Sequence, residues 1–361
     1  MAVPLGADAL QEPPAADERK QSTETTEGGS LRMRNLIRRW ETLAACGALA
    51  AGALVVGLAS SSSAASVRPR ATKETVAFIP GATGVGFYNG MLNGVRAQAK
   101  KYGWSVIYEG SPDFTPSAQT PVVEAVCARH PAALLIAPTD PVAMEPAVKQ
   151  CMKEGVLIVT VDTALANKSG IVAAISSDNI QGGETAAKFI AQQLKGSGQV
   201  ATLSLTPTAT TQVLRVKGFV QEMKAHYPKI SIVASEFTGQ ALTGSETDAS
   251  AVLSAHPQVK AFFGAAEPNG EGAALAGKGK HLVIVSYDAD PPTIALVKSG
   301  AISATIAQQP ALEGQIGVQD VYDYLTGHKS LIKKSVLLPN ILITTASARS
   351  GVDAKYYYPA G

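Results

Sequence analysis

Two aspartates stand at matching places in the chain and could do chemistry together. Val156-Leu-Ile-Val-Thr-Val-Asp162 and His281-Leu-Val-Ile-Val-Ser-Tyr-Asp288 are apolar, β-branched runs, each ending in a carboxylate. Such runs read as strands buried on both faces of a parallel sheet. A carboxylate at the carboxyl end of a strand sits where open α/β folds bind ligands, and it can accept two hydrogen bonds from neighbouring hydroxyls. Capping the next helix is the competing role for each. A second signal is the aromatic pair Phe87 and Tyr88, which follows a loop holding Gly81, Gly84 and Gly86. Three readings of that pair stand side by side: rings that stack on a small cyclic ligand, ordinary helix packing, or part of a dinucleotide fingerprint. The last rests on Gly84-Val-Gly86-Phe-Tyr-Asn-Gly90, with Glu109 as the ribose-binding acid. Its final glycine is one place too far on, and bulky rings stand where a backbone must approach pyrophosphate.

Other chemistry is sparse. No serine lies in G-x-S-x-G, and five histidines and three cysteines are too few and scattered for a zinc site. His130, His226 and His256 fall at expected helix ends, where they would meet the helix dipole instead of acting as bases. No catalytic residue, metal or cofactor is expected, and the chain does not read as an enzyme.

The elements that must hold these residues alternate without a break. Thr75–Pro80 reads as a strand, and a helix follows with Met91, Leu92, Val95 and Ala99 on one face. Gly103 ends that helix, and Trp104–Tyr108 is the next strand. A helix near Ser117–Arg129, a strand Ala132–Ala137, a helix opened by Pro138-Thr139-Asp140 and a strand Val156–Val161 continue the pattern. Asp140 and Asp178 stand where helix N-caps belong. A second set of strands and helices begins at Gly198 and echoes the first. Two similar α/β lobes therefore face one another across a cleft, with one aspartate from each at the same sheet edge.

At 361 residues the chain suits two domains. A net charge of +2 gives no footprint for nucleic acid or an acidic membrane. Residues 1–32 are polar and read as a disordered extension. Residues 33–65 read as an export signal, basic at Met33–Arg39, apolar at Leu43–Ala59, and cut after Ala65. A retained anchor helix is the alternative, but seventeen small residues are short for a span. Cys46 follows Leu43-Ala-Ala, the letters of a lipoprotein box, at the wrong end of the apolar run for lipidation. Export to the periplasm or the outer face of the cytoplasmic membrane permits a disulfide. Cys127 and Cys151 lie on successive expected helices covering one sheet face, so they either pair or stay as buried thiols.

From Glu74 to about Thr344 the chain resembles the periplasmic sugar-binding proteins of the ribose-binding type, which serve ABC importers. The residues that carry the resemblance are Gly86-Phe87-Tyr88, Leu135-Ile-Ala-Pro-Thr-Asp140, Ile175-Ser-Ser-Asp-Asn-Ile-Gln-Gly-Gly183, Arg215-Val-Lys-Gly-Phe219, Ala255-His-Pro-Gln-Val259 and Ala304-Thr-Ile-Ala-Gln308. Phe78–Tyr88 is also similar to the branch that binds a furanose-type autoinducer. The resemblance implies two doubly wound parallel-sheet lobes joined by a three-crossing hinge, the type I periplasmic binding protein fold. The crossings would fall near Asp178, Gln308 and Leu338. The lobes would be 74–178 plus 309–337, and 179–308 plus 338–361.

The resemblance further implies ligand contacts at Phe87, Tyr88, Asp162, Asp288 and Gln308, with Gln212 carried over from the autoinducer branch. Other positions depart from the pattern. Expected asparagines are Ala137 and Ala266, one arginine is Thr163, and the arginine reaching in from the second lobe aligns with Val213. The autoinducer branch's lysine is Gly81, and of its Asp-Gln pair only Gln212 remains, behind Thr211. A pocket with rings and acids but no positive charge implies a small neutral sugar-like ligand: a deoxy or methylated sugar, a polyol or a cyclic alcohol. The implied partner is an ABC permease and the implied state a monomer, with no nucleic acid. A sensor presenting its closed form to a membrane receptor, and a nucleotide-dependent oxidoreductase, are the alternative functions.

Overall fold

The computed structural model describes residues 73–360. The expected extension 1–32, the export signal 33–65 and Cys46 lie outside the described residues. Eight elements come first: β1 (Thr75–Ile79), α1 (Gly86–Tyr102), β2 (Ser105–Tyr108), α2 (Pro116–Cys127), β3 (Ala133–Ile136), α3 (Glu145–Lys153), β4 (Leu157–Val161) and β5 (Ala173–Ser177). The chain then forms α4 (Asn179–Gln193), β6 (Gly198–Ser204), α5 (Thr210–His226), β7 (Ile230–Phe237), α6 (Leu242–Ala255), β8 (Val259–Gly264), α7 (Glu267–Ala276), β9 (Val283–Tyr287), α8 (Pro291–Ser299) and β10 (Ala304–Ala307). It ends with α9 (Pro310–Leu325), β11 (Ser335–Leu338), β12 (Ile341–Thr344) and α10 (Thr345–Ser350).

Two six-stranded sheets result, in the orders β11-β5-β4-β3-β1-β2 and β12-β10-β9-β8-β6-β7. The orders match strand for strand, so the sequence echo is a structural repeat. Every pairing is parallel except β10 with β12. Strands in the middle of a parallel sheet must be apolar on both faces; β3 and β10 are buried at every residue. The strand order reverses beside β1 in one sheet and β6 in the other. The loops leaving those strands sit at the switch points where ligands of such sheets bind.

The chain passes between the sheets three times, at Asp178, at Gln308–Gln309 and at Pro339–Asn340. The crossings are tied together. The Asp178 amide donates to the Leu338 carbonyl (2.7 Å), Asn340 Nδ2 to the Asp178 carbonyl (2.6 Å), and Gln309 Nε2 to the Pro339 carbonyl (2.9 Å). Helix α9 returns to the first lobe and packs on α1, β4 and β5. Its closeness to α1 needs Gly94 and Gly314, where a Cβ would run into a carbonyl of the partner helix.

The Cys127–Cys151 pair forms a disulfide linking α2 and α3, with Cα atoms 5.4 Å apart. Asp178 caps α4 through the Gln181 amide (3.0 Å). Asp140 does not cap a helix running to Glu154 as expected. Its Oδ1 accepts the amides of Val142 and Ala143 in a separate turn, and α3 starts only at Glu145, next to Pro146. Proline favours the first turn of a helix, which moves the start downstream. Among the described residues no helix is long and apolar enough to cross a membrane.

Candidate functional site

Asp162 and Asp288 are built alike. Each follows its strand with a positive φ, 60° at Asp162 and 71° at Asp288, a conformation Asp tolerates better than most residues. That turn aims the carboxylates off the strand ends. A hydroxyl from the next strand pins each carbonyl: Ser176 Oγ donates to Asp162 (2.5 Å) and Thr305 Oγ1 to Asp288 (2.6 Å). A tyrosine meets each carboxylate. Tyr88 Oη donates to Asp162 Oδ2 (2.7 Å), and Tyr358 Oη donates to Asp288 Oδ1 (3.2 Å), which also accepts Gln308 Nε2 (2.7 Å). Neither aspartate caps a helix; the N-cap of α8 is Asp290.

Burial dominates the electrostatics. It pushes Asp162 up to about 6, with the nearby Arg215 charge and the Tyr88 bond pulling the other way. Burial also raises Asp288 against Arg215, Gln308 and Tyr358. Behind Asp162, the buried Glu313 of α9 accepts the Asp162 amide (3.0 Å) and the Ser177 hydroxyl (3.0 Å), and is itself raised by burial and by Asp162.

The two aspartates, both rings and both glutamines line one cavity of about 710 Å³, in the range of small-molecule sites. Phe87 and Tyr88 are both buried, with centroids 5.1 Å apart and planes at 75°. The walls come from both lobes: Ala82, Gly84–Tyr88 and Asp162 from the first, Gln212, Ala266, Glu267 and Asp288 from the second. The lobes meet at the cavity's lips. The Phe114 amide donates to Gln240 Oε1 (3.1 Å) and the Ala164 amide to Thr210 Oγ1 (3.1 Å).

Arg215 is the main correction to the expected pocket. Val213 is 45% exposed and does not line this cavity, whereas Arg215 is buried in its wall. Residues two apart on a helix point about 200° from each other, so only one of the pair can face inward. Its Nε donates to Asn179 Oδ1 (2.8 Å), its Nη1 to the Ala265 carbonyl (2.9 Å), and its guanidinium lies 3.7 Å over the Tyr287 ring. Positive charge is therefore present, but much of its donor capacity is committed and it balances Asp162 and Asp288. The Arg215-Val-Lys-Gly-Phe219 run was visible in the sequence without showing which face the arginine takes.

Several wall residues were not anticipated. Phe114, Glu267, Glu271 and Asp290 line the cavity. Burial pushes Glu267 up to about 9, with Asp290, Glu271 and Asp288 adding to it, and pushes Asp290 up to about 7, with Asp288 adding and the Glu267 contact pulling the other way. Both acids therefore hold their protons more readily than exposed carboxyls do. Three buried wall oxygens accept no hydrogen bond: Gln212 Oε1, Gln308 Oε1 and Asp290 Oδ2. An unpaired buried acceptor is costly, so this wall suits a ligand rich in donors, such as hydroxyls.

Glu109 is paired with Arg129 and lies outside the cavity lining. His226 closes α5, His256 caps α6 and His130 follows α2; none lines the cavity. Among the described residues no group of three or more His, Cys, Asp and Glu is placed to hold a metal.

A family model described as a periplasmic binding protein domain matches residues 76–329. The ribose import binding protein of Bacillus subtilis is 32% identical over 255 residues, covering 70% of this chain and 81% of that protein. Among solved structures, an ABC transporter solute-binding protein from Agrobacterium vitis, bound with α-D-tagatopyranose, matches with a TM-score of 0.76 at 32% identity. That match covers 80% of this chain and 100% of the other. A second solute-binding protein from Agrobacterium vitis, with D-fucose bound, matches with a TM-score of 0.72 at 27% identity, covering 79% and 100%.

Proposed function

Because this chain belongs to the periplasmic binding protein family, we propose that it is an exported solute-binding protein of an ABC importer. It captures a small neutral sugar-like ligand between its lobes and presents the closed form to a membrane permease. Capture proceeds by hinge closure, without a chemical step. The observation that carries this reading is the set of six residues around one cavity at the strand ends of both lobes: Phe87, Tyr88, Asp162, Gln212, Asp288 and Gln308. The rings flank the ligand, and the aspartates and glutamine oxygens accept its hydroxyls. Asp162, Asp288 and Asp290 repel an anion, and Arg215 between them offsets the charge that would otherwise call for a cation. Deoxy or methylated sugars, polyols and cyclic alcohols fit this balance.

The test is a thermal-shift panel of neutral sugars, polyols and cyclic alcohols, with a nicotinamide dinucleotide as the contrast. A ligand at a hundredfold excess over its Kd adds about 2.7 kcal/mol of stability. Asp288→Ala is expected to abolish the shift while leaving the fold intact. A shift with the dinucleotide alone, or an undiminished shift in Asp288→Ala, would sink the proposal.

A further inference from the structure

The chain does not stop at its last helix. After α10, a single turn at Ala354–Tyr356 leads into an extended segment, Tyr357–Ala360, that runs back to the cleft. Tyr357 holds the start of it through a bond from its hydroxyl to the Ala348 carbonyl (3.3 Å). Three kinds of contact follow within three residues. On the second lobe, the Tyr358 amide donates to the Ala289 carbonyl (3.0 Å), next to Asp288. At the hinge, Tyr358 Oη accepts the Gln308 amide (2.7 Å) and donates to Asp288 Oδ1. On the first lobe, the Tyr358 ring meets Phe87 edge-on at 5.8 Å, and Asn89 Nδ2 donates to the Ala360 carbonyl (3.0 Å). Pro359 lies against Gly86 and Gly90 of α1, and a Cβ at Gly86 would collide with its carbonyl.

We propose that Tyr357–Ala360 is a strap that holds the two lobes together over the cavity, and that Tyr358 is the residue that positions Asp288 and Gln308 for ligand. Its contacts bridge α1 of one lobe and the β9 end of the other, so opening the cleft must break one set. Tyr358 is buried and its hydroxyl is fully used, accepting one hydrogen bond and donating another. One hydroxyl thereby fixes a hinge amide and a cavity carboxylate at once. Ala360 is itself part of the cavity wall. The strap raises the population of the closed form, and a ligand that needs that form binds tighter in proportion. The role in ligand binding rests on the capture reading above; the lobe-holding role does not.

The test uses the full chain without any ligand. The Phe114 and Ala164 amides donate across the two lips, so their hydrogen exchange reports lobe apposition directly. Removal of residues 357–361 is expected to speed exchange at both lips about tenfold or more. Exchange within β3, at Leu134 and Leu135, should stay as slow as in the intact chain. Tyr358→Phe, which keeps the ring and removes the hydroxyl, should move the lips in the same direction by a smaller factor. It should also raise the Asp288 titration, read by carbon-13 resonance of the aspartate carboxyls, because a donor to that carboxylate is gone. Unchanged lip exchange in both variants would overturn the strap, and an unmoved Asp288 titration would overturn the positioning role. Failure of the sugar panel would leave these measurements standing, so the two ideas fail separately.

Discussion

Asp162→Asn should make the ligand-free protein more stable and the liganded one weaker, and the first effect should grow with pH. The wild-type carboxyl is raised from 3.8 to about 6, chiefly by burial. A group whose folded pKa lies above its unfolded value favours folding when protonated, so ionisation penalises the native state as pH rises from 4 through 6. At about 1.4 kcal/mol per tenfold in proton affinity, the full penalty is about 3 kcal/mol above pH 7. It falls to about 0.5 kcal/mol at pH 4. Asparagine carries no charge, tolerates the positive φ of this position, and still accepts the Tyr88 hydroxyl. The variant should therefore melt above wild type by about 6 °C at pH 8, taking about 2 °C per kcal/mol for a chain of this size. At pH 4 the curves should nearly coincide. Scanning fluorimetry across pH 4 to 8 reads this, and calorimetry with the sugar identified by the panel should show binding about 10- to 100-fold weaker, the loss of a charged acceptor. A gap that is flat with pH, or a variant that melts lower at pH 8, would refute the account of Asp162 as a buried, raised acid.

Other outcomes follow from the same geometry. Gly86→Val places a side chain against the Asp290 carboxylate and the Pro359 carbonyl. It should cut ligand affinity by about tenfold or more, with little change in the melting of the free protein, because an opened cleft relieves the clash. Reduction of Cys127–Cys151, or the double change to serine, should cost about 3–4 kcal/mol for a separation of 24 residues. Affinity for ligand should hold, since neither cysteine lines the cavity; a calorimetric titration of the reduced protein checks it. Glu313→Ala strands the Asp162 amide and the Ser177 hydroxyl in a fully buried site. A loss of about 2–4 kcal/mol in denaturant unfolding is expected, together with weaker binding; an unaltered midpoint would contradict it.

Much of the cleft was legible because its parts are local. An apolar run ending in aspartate places a carboxylate at a sheet edge whatever the rest of the chain does, and the Gly86-Phe-Tyr start of α1 places two rings at a switch point. What stayed illegible depends on facing. Val213 and Arg215 lie two residues apart, and the helix rotation that brings Arg215 inward is set by packing of α5 on α4, where Gly183 and Gly218 let the backbones touch. Asp140 looked like a helix cap, yet it caps a turn, because Pro146 sets the start of α3 one turn later. Glu267 opens α7 and Asp290 is the N-cap of α8, after different strands, and it is burial beside other acids that raises them.

Apart from Gln212 and Gln308, which only the family resemblance suggested, the sequence by itself determined the alternation of strands and helices, the repeat of one lobe in the other, the two strand-end aspartates and the aromatic pair at the start of α1. These follow from hydrophobic periodicity and from residue type, which act within a few positions. The tertiary structure decided which of those residues share a cavity, that Arg215 and not Val213 supplies the charge, and that Tyr358, seventy residues beyond Asp288, reaches back to hold it. Such pairings depend on the path of the whole chain through three crossings, and no short-range pattern encodes where a distant segment will return.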